Sequence, residues 1–288
     1  MNQQVPSPIF VSHGSPMTAL EPREAGAFMQ RLGPAIEAAF GRPKAVLAVS
    51  AHTLARAPVL LAASRHEAVY DFGGFDDRLY TLRYDAPGAP ALAAQVEVLL
   101  ANAGIDVQRA EQGGLDHGIW TPLRFMWPAA DVPVLPLAFV PSWNPRRLFD
   151  FGAALAPLAA MGVLVMGSGS ITHNLQRVFA GGLRDVDRAA TPESTSFRDW
   201  FSQRAAAADW DALLDYRRQA PHAVLMHPTD EHLLPLYVAA GAAGPMPGLR
   251  LHASLTYGEL GMDAYAFGAQ AAALQQALSR DTAVRSGR

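Results

Sequence analysis

The chain has 288 residues, of which 50% are hydrophobic and 17% charged, with a net charge of −3 at pH 7 and no cysteine. That composition belongs to a globular chain long enough to bury a core unaided, and the mild acidity argues against a general nucleic-acid binder. Without cysteine there can be no disulfide, thiolate zinc site, iron–sulfur cluster or cysteine nucleophile, so any metal must be held by His, Asp, Glu or backbone oxygen.

Taken in chain order, short apolar runs alternate with helical spacing. A strand is predicted at 9–11, ending at Ser12-His13-Gly14, and a helix at 25–39. The run 45–50 follows Pro43 and is almost wholly apolar, which is the pattern of a buried strand. Further strands are predicted at 59–63, 107–110 and 134–139, with a helix at 90–103 stopped by Gly104. A helix at 146–160 precedes a strand at 163–166 that runs into Gly167-Ser168-Gly169-Ser170. Helices follow at 195–208, 209–219 and 231–240, then a strand at 251–255 and a closing helix at 264–278. Residues 279–288 read as a frayed polar tail. Strands separated by helices imply one α/β domain over residues 1–288, with a central mixed sheet flanked by helices.

No stretch approaches the roughly 18 apolar residues of a membrane span. The N-terminal segment has neither the basic region nor the apolar core of a signal peptide. A cytoplasmic location without membrane partners is therefore expected, and a homo-oligomer is compatible with the sequence.

His13, His52 and His173 each follow a different predicted strand. Ligands of open α/β sheets bind outside the carboxyl ends of the strands, so these three histidines should converge on one crevice at the strand ends. Taken singly, each histidine would be read as an ordinary packed residue. His117 lies in Gly113-Gly114-Leu115-Asp116-His117-Gly118, where glycines permit close approach, although a locally hydrogen-bonded turn explains the same residues. His232 is expected in the first turn of the helix at 231–240, capped by Thr229 or Asp230. His66 and His252 read as structural or exposed; His222 and His227 fall near the site in sequence, and His222 is a candidate for lining it. The aromatic segment from Tyr70 to Tyr84 could line a pocket for a planar substrate or simply anchor a loop. Imidazoles without thiolates suit zinc, iron(II), copper or nickel, and a site with three protein ligands leaves positions for substrate. The loop at Gly167 lacks the third glycine of a dinucleotide fingerprint and is not a nucleophile elbow.

Several blocks carry a family resemblance. They are Ser12-His13-Gly14-Ser15-Pro16-Met17, Val49-Ser50-Ala51-His52, Tyr70-Asp71-Phe72-Gly73-Gly74-Phe75, Tyr84-Asp85-Ala86-Pro87-Gly88 and Leu115-Asp116-His117-Gly118-Ile119-Trp120. Gly167-Ser168-Gly169 with His173-Asn174-Leu175, and Pro228-Thr229-Asp230-Glu231-His232-Leu233-Leu234-Pro235-Leu236, complete the set. In this order the blocks resemble the 4,5-DOPA extradiol dioxygenase family of class III (LigB-like) ring-cleaving dioxygenases. The resemblance implies one divalent metal per chain, iron(II) for ring cleavage with zinc as the ion often found, held by His13, His52 and His232. It gives His173 the role of acid/base or fourth ligand, and His117 a position facing the substrate; His173 is the first choice for proton transfer and His117 the second. Related enzymes use a glutamate as third ligand, and Glu231 adjoins His232. The implied partners are a catechol and dioxygen, giving a ring-opened semialdehyde acid. The alternatives are a zinc-dependent hydrolase, disfavoured because no H-E-x-x-H pattern is present, and a non-catalytic binding protein on the same fold.

Overall fold

The computed structural model describes residues 5–182 and 185–286, with side chains described as far as 280. Eight strands form the main sheet: β1 (Ile9–Ser12), β2 (Ala45–Ser50), β3 (Val59–Leu61), β4 (Gln108–Ala110), β5 (Val134–Ala138), β6 (Val163–Gly169), β7 (Gly248–His252) and β8 (Ala264–Phe267). Their order across the sheet is β4-β3-β5-β2-β6-β1-β8-β7. The middle four, β5-β2-β6-β1, are parallel, while β3 and β8 pair antiparallel with their inner neighbours β5 and β1, so the sheet is mixed as expected.

Side chains alternate across this sheet. Phe10, Leu47, Val49, Val163 and Val165 enter one core, and Ile9, Val11, Val46, Ala48, Leu164 and Met166 enter the other. Because both faces are covered, the inner strands are apolar at consecutive positions and therefore recognisable in sequence. Helices α1 (Arg23–Phe40), α3 (His117–Met126) and α8 (Ala271–Ser286) cover the second core. Helices α2 (Pro90–Asn102), α4 (Pro145–Ala153), α6 (Pro192–Ala206) and α7 (Leu234–Ala243) cover the first. A short helix, α5 (Leu175–Ala180), follows β6.

The structure corrects several of the expected elements. The closing helix begins at Ala271; residues 264–267 form strand β8, paired antiparallel to β1 with Ala266 opposite Ile9. Alanines at 264 and 266 suggested a helix, but pairing with a central strand buries all four residues. The helix expected from 231 begins at Leu234, with Pro235 in its first turn, so His232 lies in the preceding turn. Strand β6 continues through the Gly-Ser-Gly segment to Gly169. The helices expected at 146–160 and 209–219 are each broken in two, the first into α4 and a 3-10 turn, the second into Trp210–Leu214 and Tyr216–Gln219. Helix α8 also extends through most of the predicted tail, with 287–288 outside the described residues. Among the described residues, no helix is long and apolar enough to cross a membrane.

Candidate metal centre

Three adjacent parallel strands, β2, β6 and β1, end in register: Ser12 is opposite Gly169, and Ser50 is opposite Ser168. His13 leaves the end of β1, His52 follows β2 by two residues, and His173 follows β6 by four. His117 opens α3, and His232 occupies the turn before α7. These elements bring all five side chains to one cavity.

Hydrogen bonds fix the tautomers of His13, His117 and His232. Ser168 Oγ donates to the Gly118 carbonyl and therefore accepts from His13 Nδ1, at 3.0 Å. His13 thus turns an unprotonated Nε2 toward the cavity. His232 Nδ1 donates to Glu231 Oε1 at 3.0 Å, leaving its Nε2 free as well. His52 has Nδ1 3.5 Å from Asp71 Oδ2 and Nε2 3.2 Å from His13 Nε2. Two ring nitrogens with inward lone pairs repel each other at that distance unless a cation or proton lies between them. Two imidazoles bound tetrahedrally at about 2.0–2.1 Å to zinc would be separated by about 3.3 Å, so the observed spacing fits a shared ion. His13, His52 and His232 each offer a nitrogen within 4.8 Å of the other two. The donor set, three imidazoles of which His13 and His232 are oriented by hydrogen bonds at their outer nitrogens, fits a borderline divalent metal.

The neighbouring groups complete the site. Asp71 accepts from the His117 backbone N–H and from His117 Nδ1–H, both at 2.9 Å. Asp116 caps α3 by accepting from Ile119 N and also accepts from Ser50 Oγ at 2.7 Å and from Thr53 Oγ1, which ties α3 to the end of β2. The His173 ring stacks on His232 at 3.5 Å with an interplanar angle of 9°. Gly169 lets the His232 turn sit against β6: a Cβ there would lie 1.9 Å from the His232 carbonyl oxygen, which accepts from Ser170 N at 2.9 Å. At Gly118 a Cβ would come within 2.5 Å of Ser50 Oγ and 3.0 Å of His13 Cε1.

Burial, reinforced by the surrounding imidazoles, holds His13 well below its ordinary pKa, pushes His52 down to about 3 and His173 to about 2. Glu231 is pushed down to about 2 by its hydrogen bond from His232. Burial would raise the Asp71 carboxyl, but its hydrogen bonds from His117 outweigh this and lower it. His13, His52 and His173 are therefore neutral beside the ionised carboxylates of Asp71 and Glu231 at neutral pH, and neutral imidazole is the form that binds metal.

The cavity has a volume of about 380 Å³. Phe72, Gly74 and Phe75 of the aromatic segment line it. So does Tyr257, whose φ of 56° places a bulky residue in the left-handed region beside the site. His222 does not line it: this residue is exposed, with φ 56°, at the start of a short helix. His227 is buried and donates from Nε2 to the Ile171 carbonyl at 2.9 Å, a structural role. His66 is buried beside the Gly113 carbonyl, and His252 stacks on Phe28. Sequence reasoning assigned no role to Asp71 or Ser168; both lie inside quoted motifs, but nothing local ties either to its histidine.

A family described as the catalytic LigB subunit of aromatic ring-opening dioxygenase matches residues 7–268. The 4,5-DOPA dioxygenase extradiol of Beta vulgaris is 37% identical over 237 residues, covering 82% of this chain and 86% of the relative. The Escherichia coli K12 protein of the same name is 34% identical over 239 residues, covering 81% and 84%. The crystal structure of an uncharacterized Escherichia coli K12 protein superimposes with a TM-score of 0.71 at 28% identity, covering 90% of this chain and 98% of the other.

Proposed function

This chain belongs to the LigB family of aromatic ring-opening dioxygenases, and from that premise we propose that it cleaves catechols in the extradiol manner at an iron(II) held by His13, His52 and His232. The observation that carries the metal assignment is the 3.2 Å approach of the His13 and His52 Nε2 atoms, both directed inward. Zinc suits the same donors and would occupy the same place without redox chemistry. Iron bound there supplies Lewis acidity toward the two vicinal hydroxyls and electronic access to dioxygen.

The protein's own residues orient the ring and manage its protons. Phe72 stands edge-on to His117, with ring centroids 5.8 Å apart, and meets Phe75 at an interplanar angle of 89°, so the two rings form an aromatic corner for the substrate. His117 is bound through Nδ1 to Asp71, so its Nε2 is the acceptor and Asp71 stabilises the imidazolium that follows proton uptake. This Asp–His pairing makes His117 the better proton acceptor of the two candidates, reversing the order suggested by the motifs. His173, stacked on His232 and held neutral, is suited to ordering the bound oxygens of the substrate or to serving as a fourth ligand. The overall change is addition of both oxygen atoms of dioxygen and rupture of the carbon–carbon bond beside the diol. The proton taken from the catechol returns to the product, a semialdehyde acid.

A zinc hydrolase of the H-E-x-x-H kind would use a free carboxylate base beside the metal. Glu231, the acidic neighbour of a proposed ligand, uses Oε1 to accept from both His232 and Thr229 at 3.0 Å, which disfavours that reading. The test is anaerobic reconstitution with iron(II) or with zinc, followed by oxygen uptake on a panel of catechols. Uptake with iron and none with zinc is expected; uptake with neither metal would overturn the proposal.

A further inference from the structure

The walls of the histidine cavity carry a second message, about what is attached to the ring. Beyond the histidines they are built largely from apolar side chains, among them Met17, Phe72, Phe75, Leu175, Val178 and Phe179. Among the described residues, no Lys, Arg, Asp or Glu side chain lines this cavity. Its hydroxyl groups come from Ser15, Ser170 and Tyr257, and that of Ser170 already donates to the Thr172 carbonyl at 2.7 Å.

The same character continues to the mouth of the cavity. Phe179 is 60% exposed, Leu175 42% and Phe75 38%. Nine large hydrophobic residues stand exposed among the described residues, and these three gather at this one opening. Exposed apolar side chains that cluster at a cavity mark a surface meant to be covered by a ligand or partner. Leu175 and Phe179 lie four residues apart on α5, hence on one side of that helix, and α5 is positioned by Asn174, whose side chain caps it and also donates to the Leu225 carbonyl at 2.6 Å.

A catechol whose ring lies beside the histidines must project any substituent along these walls toward the opening. An amino-acid substituent brings an ammonium and a carboxylate, and neither finds a charged partner on the described walls. Charged groups taken from water without a partner bind poorly, whereas an alkyl or aryl group gains from leaving water. At about 380 Å³ the cavity falls within the range of small-molecule sites and has room for more than a bare ring. We propose that the preferred substrate is a catechol bearing an uncharged apolar substituent, and that Phe75, Leu175 and Phe179 select it over zwitterionic amino-acid catechols such as DOPA. The proposal rests on the ring-cleavage reading for its chemistry and on the cavity alone for its selectivity.

Propylcatechol and L-DOPA make a close comparison because both carry a three-carbon substituent. Binding to the iron(II) protein is measured anaerobically by calorimetry, and kcat/KM is measured in air for both. Propylcatechol should exceed L-DOPA by at least about tenfold in both readouts, and should exceed methylcatechol by up to about fourfold for each added methylene that is buried. Equal values, or a preference for L-DOPA, would overturn the proposal. In Phe179→Arg, at a site exposed enough to tolerate the change, the preference should fall severalfold as the guanidinium meets the carboxylate of L-DOPA. An unchanged ratio in that variant would remove Phe179 from the selecting surface. If neither compound is opened while propylcatechol still binds more tightly, the ring-cleavage reading fails and the selectivity stands.

Discussion

Asp71 holds His117 by two hydrogen bonds of 2.9 Å, one carboxylate oxygen accepting from the backbone N–H and the other from Nδ1–H. The two residues are 46 positions apart, and the pairing fixes both the ring's orientation and its tautomer at the start of α3. An imidazole so held can take a proton at Nε2 while the aspartate balances the charge.

Replacing Asp71 with Asn keeps the size of the side chain and removes the balancing charge. Turnover in Asp71→Asn should fall by about 10–100-fold, the usual effect of losing an outer carboxylate on a functional histidine. Metal content should remain near that of the parent, because the three proposed ligands are untouched. Metal loss equal to the activity loss, by elemental analysis of folded protein, would assign Asp71 to the metal instead.

The three-histidine centre makes a sharper distinction. His52→Ala should lose most of its metal, since a three-ligand set has little redundancy. His117→Gln should retain metal and lose about 10²–10⁴-fold in kcat, the range for removal of a general acid/base. Equal metal loss in the two variants would contradict the division of roles.

Much of this centre is legible in the sequence, and the reasons are local. His13 and His52 follow strands whose two buried faces make them continuous apolar runs, so their place at strand ends can be read directly. Helix α3 is harder to see because Gly118 and Pro122 interrupt its pattern and a glycine pair precedes it. The strand at 264–267 is set by pairing with β1 across more than 250 residues of sequence, and four residues are too few to display a period. The Asp71–His117 and Ser168–His13 contacts have no sequence signal at all, because their spacing is set by the fold. The apolar rim at Leu175 and Phe179 is invisible for the same reason: in sequence these residues look like the buried face of an ordinary helix.

Gly169 provides a test of the packing that positions His232. Gly169→Ala would place a methyl group 1.9 Å from the His232 carbonyl oxygen, with backbone on both sides of the clash. The strand and the turn must separate, at a cost of about 1–3 kcal/mol in stability. Metal affinity should fall with it, measured by competition with a chelator. Unchanged affinity in a folded Gly169→Ala protein would show that the turn is free to shift without moving its histidine.

The buried imidazoles also predict how the metal-free protein responds to acid. His52 lies near 3, and His227 and His252 near 4, chiefly through burial, while His13 and His173 are lowered in the same way. An unfolded histidine takes up its proton near 6.5, so below that pH the unfolded chain binds more protons than the folded one. Stability contributed by these groups is fully present above about pH 6.5 and is lost progressively as the pH falls toward their folded values. The urea midpoint of the metal-free protein should therefore decrease from pH 7.5 to pH 5. A midpoint that rises or stays level over that interval would contradict the assigned protonation states.

The most direct test of the central claim follows the oxygen atoms. Iron(II)-loaded protein is given a catechol that it consumes, under isotopically labelled dioxygen, and the product is analysed by mass spectrometry. With the aldehyde reduced at once to stop exchange of its oxygen with water, both labelled atoms should appear in one ring-opened product, with one dioxygen used per catechol and no product from His52→Ala. A product carrying no label from dioxygen, or one formed equally well in the absence of dioxygen, would contradict extradiol cleavage at the His13, His52 and His232 centre.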